Sequence, residues 1–304
     1  MHPFKGPTAR ALKRVLRFPR ELQAKARDRA VLTRLLPYYL SVCAIFRNEA
    51  PYLEEWLVFH LGIGVEHFYL YENRSIDDFR AVLAPFLERR QVTLTDWPKA
   101  QGQKAAYRHC LRSAAAESRW VAFLDLDEFL FSPQQRDIRP ILEKYRELSS
   151  LQVRRATFGS SGHKTKPAAG VLQSYTWRAA ELRGPKSIAN PRLIRAIHNP
   201  HQFSMWGDDE THFCDELRIN HYWSRSLEEL LEKLQRGDAW FRRPRLIDYH
   251  LSEEGRLNEV EDRCIQPLAR EIAEEFSARR PRGAAFDAAS TASSTSRDRA
   301  FWII

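Results

Sequence analysis

The chain has 304 residues and a formal net charge of +9, and 43% of its residues are hydrophobic, including 17 Phe, 10 Tyr and 8 Trp. This length and composition predict a folded, aromatic-rich protein with one large domain or two small ones. No apolar run approaches the roughly 18 residues that a transmembrane helix needs, so we expect a soluble or peripheral protein.

The positive charge is concentrated at the N-terminus. Residues 1–36 contain ten Lys and Arg but only two acidic residues, so they account for +8 of the net +9. The remainder is nearly neutral, which argues against a nucleic-acid partner. Within this segment, residues 9–18 place Leu12, Val15 and Leu16 on one helical face among basic residues. This stretch can contact an anionic membrane, or it can be a solvated run of charges.

The four cysteines are far apart in the sequence and form no CxxC pair. We therefore expect buried thiols in a reducing compartment and neither a zinc site nor a redox motif. The N-terminus lacks the apolar core of a secretion signal, so we expect a cytoplasmic protein, with peripheral contact at the inner face of the cytoplasmic membrane if residues 9–18 bind lipid. These cysteines are Cys43, Cys110, Cys214 and Cys264.

Buried strands and helices alternate through the first half of the chain, which predicts βα units on a parallel sheet. The second half has two further predicted strands, at 151–159 and 171–179, around a Gly-rich segment that suits an acceptor loop. The first-half strands are predicted at 38–46, 67–71, 92–97 and 120–129, with helices from 50 to 61, from 77 onward, and from 101 to 118.

Polar residues follow three of these strands, and in open α/β sheets ligands bind at the carboxyl ends of strands. Turn and cap chemistry explains any one of these clusters alone, but three at one edge predict a nucleotide-sized crevice. No GxGxxG or GxxxxGK[ST] motif follows the first strand, which argues against dinucleotide-binding and P-loop proteins. The clusters are Arg47-Asn48-Glu49, then Asn73 with Asp77 and Asp78, and Asp125 with Asp127 and Glu128.

Asp125 and Asp127 are the candidate metal ligands. If the strand at 120–129 continues through them, alternation puts both carboxylates on one side and turns Leu126 into the core. The two charges repel unless a cation lies between them, and Mn²⁺ or Mg²⁺ prefers oxygen ligands and can also bind a diphosphate. The alternative is a strand end with solvated acids.

Several ordered motifs between about Leu40 and Lys233 resemble glycosyltransferase family 92 and its bacterial relatives. The resemblance implies a GT-A fold, which is a Rossmann-like, mostly parallel sheet with flanking helices, here followed by a C-terminal acceptor-side lobe. The motifs are SVCAIFRNEAPYLEEWLVFHLGIGVEHFYLYENRSIDD, GQKAAYRHCL, WVAFLDLDEFL, TFGSSGH, GPKSIANP and INHYWSRSLEELLEK.

The resemblance also implies roles for individual residues. The nucleotide-sugar is expected to contact Arg47, Asn48, Glu49, Asn73, Asp77, Gln103 and Lys186. Mn²⁺, or Mg²⁺ in its place, is expected on Asp125, Asp127 and His221. Lys186 is predicted in a polar turn, where it could neutralise a phosphate or simply be solvated. A neutral imidazole such as that of His221 is a reasonable Mn²⁺ ligand.

The implied activity is inverting, metal-dependent transfer of a hexose, such as galactose, from a UDP-sugar to a glycan or glycolipid. Such a transfer needs a carboxylate base, and Asp208, Asp209 and Glu210 are the candidates, although they can equally form a solvated turn. Glu181 and Asp215 are the next carboxylates to consider. The alternatives are a Mg²⁺-dependent nucleotidyltransferase and a non-catalytic lipid- or glycan-binding scaffold.

The predicted organisation has three parts. Residues 1–36 form the basic segment, residues 37–277 form the glycosyltransferase domain, and residues 278–304 form a disordered tail rich in Ala, Ser, Thr and Arg. Within the domain, the nucleotide-sugar half is expected at 37–135 and the acceptor half at 136–277.

Overall fold

The structure of the chain is a computed structural model that describes residues 20–26, 28, 36–206, 210–236 and 247–279. The predictions for residues 9–18, for Asp208 and Asp209, and for the tail from residue 280 onward lie outside these ranges. Within these ranges, no helix combines the length and the apolar character needed to cross a bilayer.

The described residues contain strands and helices that alternate as predicted through the first half. The strands are β1 (Tyr38–Phe46), β2 (His67–Glu72), β3 (Val92–Asp96), β4 (Ser118–Phe123), β5 (Glu128–Phe131), β6 (Ser150–Phe158), β7 (Trp177–Ala189), β8 (Ile194–Asn199), β9 (Gln202–Met205), β10 (Arg218–Tyr222) and β11 (Val260–Glu261). The helices are α1 (Ala50–Gly62), α2 (Phe79–Glu88), α3 (Gln103–Glu117), α4 (Arg139–Lys144), α5 (Val171–Ser174), α6 (Leu227–Arg236), α7 (Ile247–Gly255) and α8 (Gln266–Ala278).

One large sheet joins both halves of the domain. Its strand order is β3-β2-β1-β4-β7-β6-β10-β5, with β11 paired to β7, and β8 and β9 form a separate hairpin. The pairs among β1, β2, β3 and β4 are parallel, and so is the β6–β10 pair. Strand β7 runs antiparallel to β4 and β6, and β5 runs antiparallel to β10. This α/β architecture with flanking helices confirms the predicted fold class.

The alternating side chains of β1 explain why its sequence is mostly apolar. Leu40, Val42 and Ala44 belong to a core with residues of α1, α2 and α8. Cys43 and Ile45 point the other way and pack in a core with residues of α3 and β8. Both faces of the sheet are therefore covered, and the carboxyl ends of the strands remain as the edge available to a ligand.

The predicted fourth strand at 120–129 is wrong in one respect. Strand β4 ends at Phe123, and the chain turns before β5 begins at Glu128. Strand β5 does not continue β4 but pairs antiparallel with β10 at the far end of the sheet. The sequence conceals this crossing because the apolar residues on both sides of Asp125 and Asp127 are equally buried.

Three further expectations are wrong. The strand predicted at 171–179 begins only at Trp177, because α5 occupies the first part and the Glu55 carboxylate accepts hydrogen bonds from the Val171 and Leu172 N–H groups at its start. Lys186 lies within β7 and not in a polar turn. Among the thiols, Cys264 is exposed, while the other three cysteines are buried.

Candidate active site

The turn between β4 and β5 carries the two candidate aspartates. The Asp125 N–H donates to Glu128 Oε2 and the Glu128 N–H donates to the Asp125 carbonyl, both at 3.0 Å. The Tyr222 N–H donates to the Asp127 carbonyl at 2.8 Å, which ties the turn to the end of β10. Leu126 is buried, as predicted, although a turn and not a strand turns it inward.

The Asp127 carboxylate lies between an imidazole and an ammonium group. His221 Nε2 is 3.5 Å from Asp127 Oδ1, and Lys233 Nζ is 2.5 Å from Asp127 Oδ2. Burial favours the neutral acid, but the Lys233 ammonium group and the His221 side chain outweigh it and hold the pKa of Asp127 well below its usual range. Asp127 is therefore ionised, and the structure brings it together with His221 as predicted.

The Asp125 carboxylate makes a separate set of contacts. Gln103 Nε2 donates to Asp125 Oδ1 at 2.7 Å, and Lys186 Nζ donates to Asp125 Oδ2 at 2.6 Å. Burial raises the pKa of Asp125, the Lys186 charge opposes this, and the neighbouring Glu128 and Asp127 charges add to it. The structure thus places Gln103 and Lys186 beside Asp125, as the predicted site requires.

Glu128 completes the charged cluster beneath the two aspartates. Its side chain is inaccessible to solvent, with Lys186 Nζ at 3.1 Å and Arg155 Nη1 at 2.9 Å. Burial favours its neutral form, but the Lys186 and Arg155 charges lower the pKa of Glu128 to about 2. Three carboxylates are thereby paired with three cations, because Lys233 serves Asp127, Lys186 serves Asp125 and Glu128, and Arg155 serves Glu128.

The chemistry of these donors fits a divalent cation. Asp127 and His221 present an oxygen and a nitrogen 3.5 Å apart, and Mn²⁺ accepts both kinds of ligand. Within the part of the chain that the structure describes, no three His, Cys, Asp or Glu side chains already stand at ligating positions together. Lys233 lies on one Asp127 oxygen, so a cation would share or replace that contact.

The loops after β1 and β2 are joined by hydrogen bonds from the predicted residues. The Asn48 N–H donates to Ser75 Oγ at 3.0 Å, and Asn48 Oδ1 accepts from the Ile76 N–H at 2.8 Å. Asp77 Oδ2 accepts from the Ala50 N–H at 2.7 Å at the start of α1. Asn48 has φ 54, a left-handed conformation that asparagine tolerates better than most residues. These side chains fix the shape of the crevice.

Asn73 connects the second loop to the third. Its Nδ2 donates to the Trp97 carbonyl at 2.5 Å and to the Lys99 carbonyl at 2.9 Å, so this side chain positions the segment that follows β3. Arg47 is exposed at the end of β1. The donor contacts predicted for Arg47, Asn73 and Asp77 remain predictions.

A small cavity of about 60 Å³ joins the first loop to the aspartates. Asn48, Glu49 and Asp127 line it together with Arg225 and Lys233. A larger cavity of about 220 Å³ lies between α1 and α8 and contains none of the predicted site residues. We assign the site to the smaller cavity because the charged groups converge there.

Several residues of this cavity were not predicted. Arg225 Nη1 is 3.0 Å from Glu49 Oε2, and its guanidinium lies 3.5 Å from the centre of the Tyr52 ring. Glu229 accepts hydrogen bonds from Tyr52, Tyr175 and Ser226 and is thereby anchored. The amphipathic sequence SRSLEELLEK could have indicated these residues. Most of it lies in helix α6, which contains Lys233 and begins just after Arg225.

Of the three candidate bases, the structure describes only Glu210. Asp208 and Asp209 lie outside the described residues, and Glu210 is exposed. Asp215 forms an ion pair with Arg154 on the surface, and Glu181 is exposed on β7. No described contact connects any of these carboxylates to the two aspartates, so the choice of base remains a prediction.

The fold and the site together define an α/β protein with an acidic, charge-balanced centre at the carboxyl edge of its sheet. The model of glycosyltransferase family 92 matches residues 37–268, and the chain therefore belongs to this family. A glycosyltransferase family 92 protein of Oryza sativa subsp. japonica is 35% identical over 171 residues, which are 53% of this chain and 29% of the relative.

Two other proteins show further similarity to this chain. The galactan beta-1,4-galactosyltransferase GALS3 of Arabidopsis thaliana is 27% identical over 140 residues, which are 42% of this chain and 28% of that protein. The chain thus spans less than a third of the length of these two relatives. The crystal structure of S. aureus TarS 1–349 in complex with UDP-GlcNAc has a TM-score of 0.39 and 9% identity, covering 79% of this chain and 73% of that chain.

Proposed function

We propose that this chain catalyses the transfer of a hexose, such as galactose, from a UDP-sugar to a glycan or glycolipid acceptor. The observation that carries the proposal is the pair Asp125 and Asp127 at the edge of the sheet, beside a polar cavity lined by Asn48 and Glu49. Membership in glycosyltransferase family 92 and the similarity to a galactan galactosyltransferase support the reaction class and the sugar.

Mn²⁺, or Mg²⁺ in its place, would be held by Asp127 and His221 with Asp125 beside them. When bound, the metal supplies positive charge to the leaving diphosphate. The contacts of Asp125 with Gln103 and Lys186 hold its carboxylate towards the same region. These contacts restrict the side chain before any ligand arrives, which reduces the entropy lost on binding.

The rest of the sugar donor is assigned to the loops after β1 and β2. Asn48 and Glu49 line the cavity, and Arg47 is exposed at the same strand end, where its charge can reach a diphosphate. Asn73 and Asp77 shape these loops through their backbone contacts. The acceptor is assigned to the side of the β7 and β6 strands and the Gly-rich segment after β6.

Inverting transfer requires a carboxylate that accepts the proton of the acceptor hydroxyl as that oxygen attacks the anomeric carbon. Asp208, Asp209 and Glu210 are the candidates for this role. The bond to the UDP leaving group breaks as the new glycosidic bond forms, and the leaving diphosphate needs no proton from a general acid. A cytoplasmic location, with residues 9–18 at the inner face of the membrane, belongs to the same proposal.

A screen of UDP-sugars tests the proposal. We expect slow release of UDP from one UDP-hexose in the presence of Mn²⁺, loss of this release on chelation, and faster release with the correct acceptor. A nucleotidyltransferase would instead release pyrophosphate from a nucleoside triphosphate. A lipid- or glycan-binding scaffold would release neither product, and either of these two results would refute the assigned reaction.

A further inference from the structure

We propose that Lys233 binds the diphosphate of the sugar donor and occupies the Asp127 carboxylate while the donor is absent. The inference rests on the proposed function, because it names a second cation of that site. Lys233 Nζ is 2.5 Å from Asp127 Oδ2 and 3.1 Å from the Trp223 carbonyl oxygen. The ammonium group therefore sits on one oxygen of the acid that is assigned to the metal.

Two other cations near Asp127, Lys186 and Arg225, are fixed in place. Lys186 is inaccessible to solvent and bridges Asp125 and Glu128. The Arg225 side chain is only 10% exposed, because it is bonded to Glu49 and stacked on an aromatic ring. Moving either of them would break an ion pair with a largely buried carboxylate, which is costly.

Lys233 differs from these two residues in position and in freedom. It lies in the second half of α6, and its side chain is 24% exposed. Lysine has a flexible four-carbon stem with a compact charge at its end, so rotation of its side chain can move the charge without displacing the helix. Among these three cations, Lys233 is the one that can change partners at low cost.

The cavity beside Asp127 is too small to enclose a whole sugar donor. The cavity beside Asp127 has a volume of about 60 Å³, and Lys233 contributes to its wall. Sites that enclose small organic ligands typically have about 300 to 1,000 Å³. A UDP-sugar therefore cannot occupy this cavity as it stands, and withdrawal of the Lys233 side chain from Asp127 enlarges it at the acidic end.

The balance of charge favours an exchange of cations. The acidic cluster already pairs three carboxylates with Lys186, Arg155 and Lys233. A divalent cation that joins Asp127 makes Lys233 redundant there, while a diphosphate brings new negative charge close by. Hydrogen bonds between an ammonium group and a phosphate oxygen are charge-assisted and strong. Lys233 thus moves from the Asp127 carboxylate to the diphosphate. The Asp127 carboxylate then has the divalent cation as its partner.

This arrangement predicts effects of opposite sign from one substitution. In the absence of nucleotide, Lys233→Met removes a competing cation from Asp127, so the protein should bind Mn²⁺ about fivefold more tightly. In the presence of Mn²⁺, the same variant lacks a partner for the diphosphate, so UDP should bind about tenfold more weakly. A residue that only supports the fold would not change the two affinities in opposite directions.

The experiment measures Mn²⁺ binding by electron paramagnetic resonance of the free ion and UDP binding by calorimetry in the wild type, Lys233→Met and Lys233→Arg. Lys144→Met is the matched control, because Lys144 Nζ is also 2.5 Å from a carboxylate oxygen, that of Glu216, but on the surface. We expect wild-type affinities in the control and near-normal UDP binding in Lys233→Arg. Thermal unfolding confirms that each variant is folded, and Lys233→Gln replaces Lys233→Met if the latter is not.

The outcomes separate the two proposals. If the wild type binds Mn²⁺ and UDP but Lys233→Met binds both as the wild type does, the role of Lys233 is refuted and the proposed function stands. If the wild type binds neither Mn²⁺ nor any UDP-sugar, the proposed function itself is refuted. Tighter Mn²⁺ binding with weaker UDP binding in Lys233→Met supports both.

Discussion

The ammonium group of Lys186 lies 2.6 Å from Asp125 Oδ2 and 3.1 Å from Glu128 Oε2, at a position that solvent does not reach. Burial opposes its charge, but Asp125 and Glu128 outweigh this and raise the pKa of Lys186. The residue therefore remains charged and connects Asp125 and Glu128 to strand β7. This relationship makes Lys186 a structural requirement of the site, whatever contact it makes with a donor.

Lys186→Met should destabilise the protein because it leaves two carboxylates without this cation. Removing one partner of a buried ion pair typically costs about 3 to 5 kcal/mol, which urea denaturation can measure. Adding Asp125→Asn should recover part of this loss, since one unpaired charge disappears. Lys144→Met, which breaks a surface pair, should cost less than about 1 kcal/mol. Equal losses in Lys186→Met and Lys144→Met would contradict this account.

The two aspartates should differ in what their removal does to the fold. Asp127→Ala should lower transfer by about a hundred- to thousandfold, since stabilisation of the leaving group is lost. Its unfolding temperature should fall less than that of Asp125→Ala, because Lys233 is partly exposed and can turn to solvent when its partner is removed. Asp125→Ala should also abolish transfer, but with a lower unfolding temperature because Lys186 loses its closest partner. Chelation of the metal should reproduce only the first effect. Near-normal transfer by Asp127→Ala would refute the metal assignment.

His60 gives the fold a defined dependence on pH. Its ring is buried, with Nδ1 2.8 Å from the Trp56 carbonyl, to which it donates, and Nε2 accepting from the Leu130 N–H at 3.2 Å. Burial lowers the pKa of His60 to about 4, from 6.5, despite the favourable contact with Trp56. Protonation would set an N–H group against the Leu130 N–H, so the folded state excludes the charged ring.

The sign of this effect is fixed by the direction of the pKa shift. Below pH 6.5 the unfolded chain binds a proton at His60 and the folded chain does not, so stability is complete above pH 6.5 and falls towards pH 4. The loss from this residue should reach roughly 3 kcal/mol by pH 4. We expect a shallower decline in His60→Gln, measured by denaturant unfolding at several pH values. Parallel curves for the two proteins would show that His60 does not titrate in this range.

The sequence predicts the first half of the fold well because local patterns determine it. Strand β1 has the predicted bounds, since its nine residues are mostly apolar and lie between a proline and a polar loop. The turn at Asp125 was missed because the residues on both sides are equally apolar and buried. The partner of β5 is β10, about 90 residues away in the chain, and no local periodicity can reveal such a pairing.

The same reasoning explains which parts of the site were predicted. Asp125, Asp127 and His221 belong to short motifs, and the structure places His221 Nε2 3.5 Å from Asp127 Oδ1, in the turn that also carries Asp125. The partners of the aspartates were harder to foresee, since Lys186 is 61 residues from Asp125 and Lys233 is 106 residues from Asp127. A lysine in a sequence is normally solvated, and only the fold shows that Lys186 is buried.

A test of membrane binding by the N-terminal segment should delete fewer residues than the whole basic segment at 1–36. Asp28 accepts hydrogen bonds from Arg192 Nε at 2.5 Å and from Asn190 Nδ2 at 2.9 Å. Ala24 packs against Leu193 and neighbouring residues. Deletion of the whole predicted segment at 1–36 would remove these contacts along with the charge.

Deletion of residues 1–19 should therefore separate membrane binding from stability. These residues carry five Lys and Arg and no acidic residue. At about 1 kcal/mol for each basic residue near an anionic surface, their loss should abolish binding to anionic vesicles at low salt. Unfolding temperature and transfer to a soluble acceptor should not change. Equal vesicle binding by the full-length and shortened chains would exclude a membrane role for residues 9–18.

The identity of the base can be tested by separating donor binding from chemistry. Asp208→Asn, Asp209→Asn and Glu210→Gln each keep the shape of the side chain and remove its charge. A carboxylate that only accepts the acceptor proton makes no contribution to UDP binding, so one variant should bind UDP normally. That variant should lose about 10²- to 10⁴-fold in kcat, as is typical when a general base is removed.

The pH dependence of transfer provides a second test of which carboxylate is the base. Transfer by the wild type should fall at low pH as the base becomes protonated, and the variant that lacks the base should retain a low rate without this fall. If all three variants transfer at the wild-type rate, the base lies elsewhere. Glu232 should then be changed to Gln before Glu181 or Asp215, because Glu232 lines the cavity beside Asp127. Asp215 is already paired with Arg154 on the surface and Glu181 is exposed on β7, so neither has a described contact with the site.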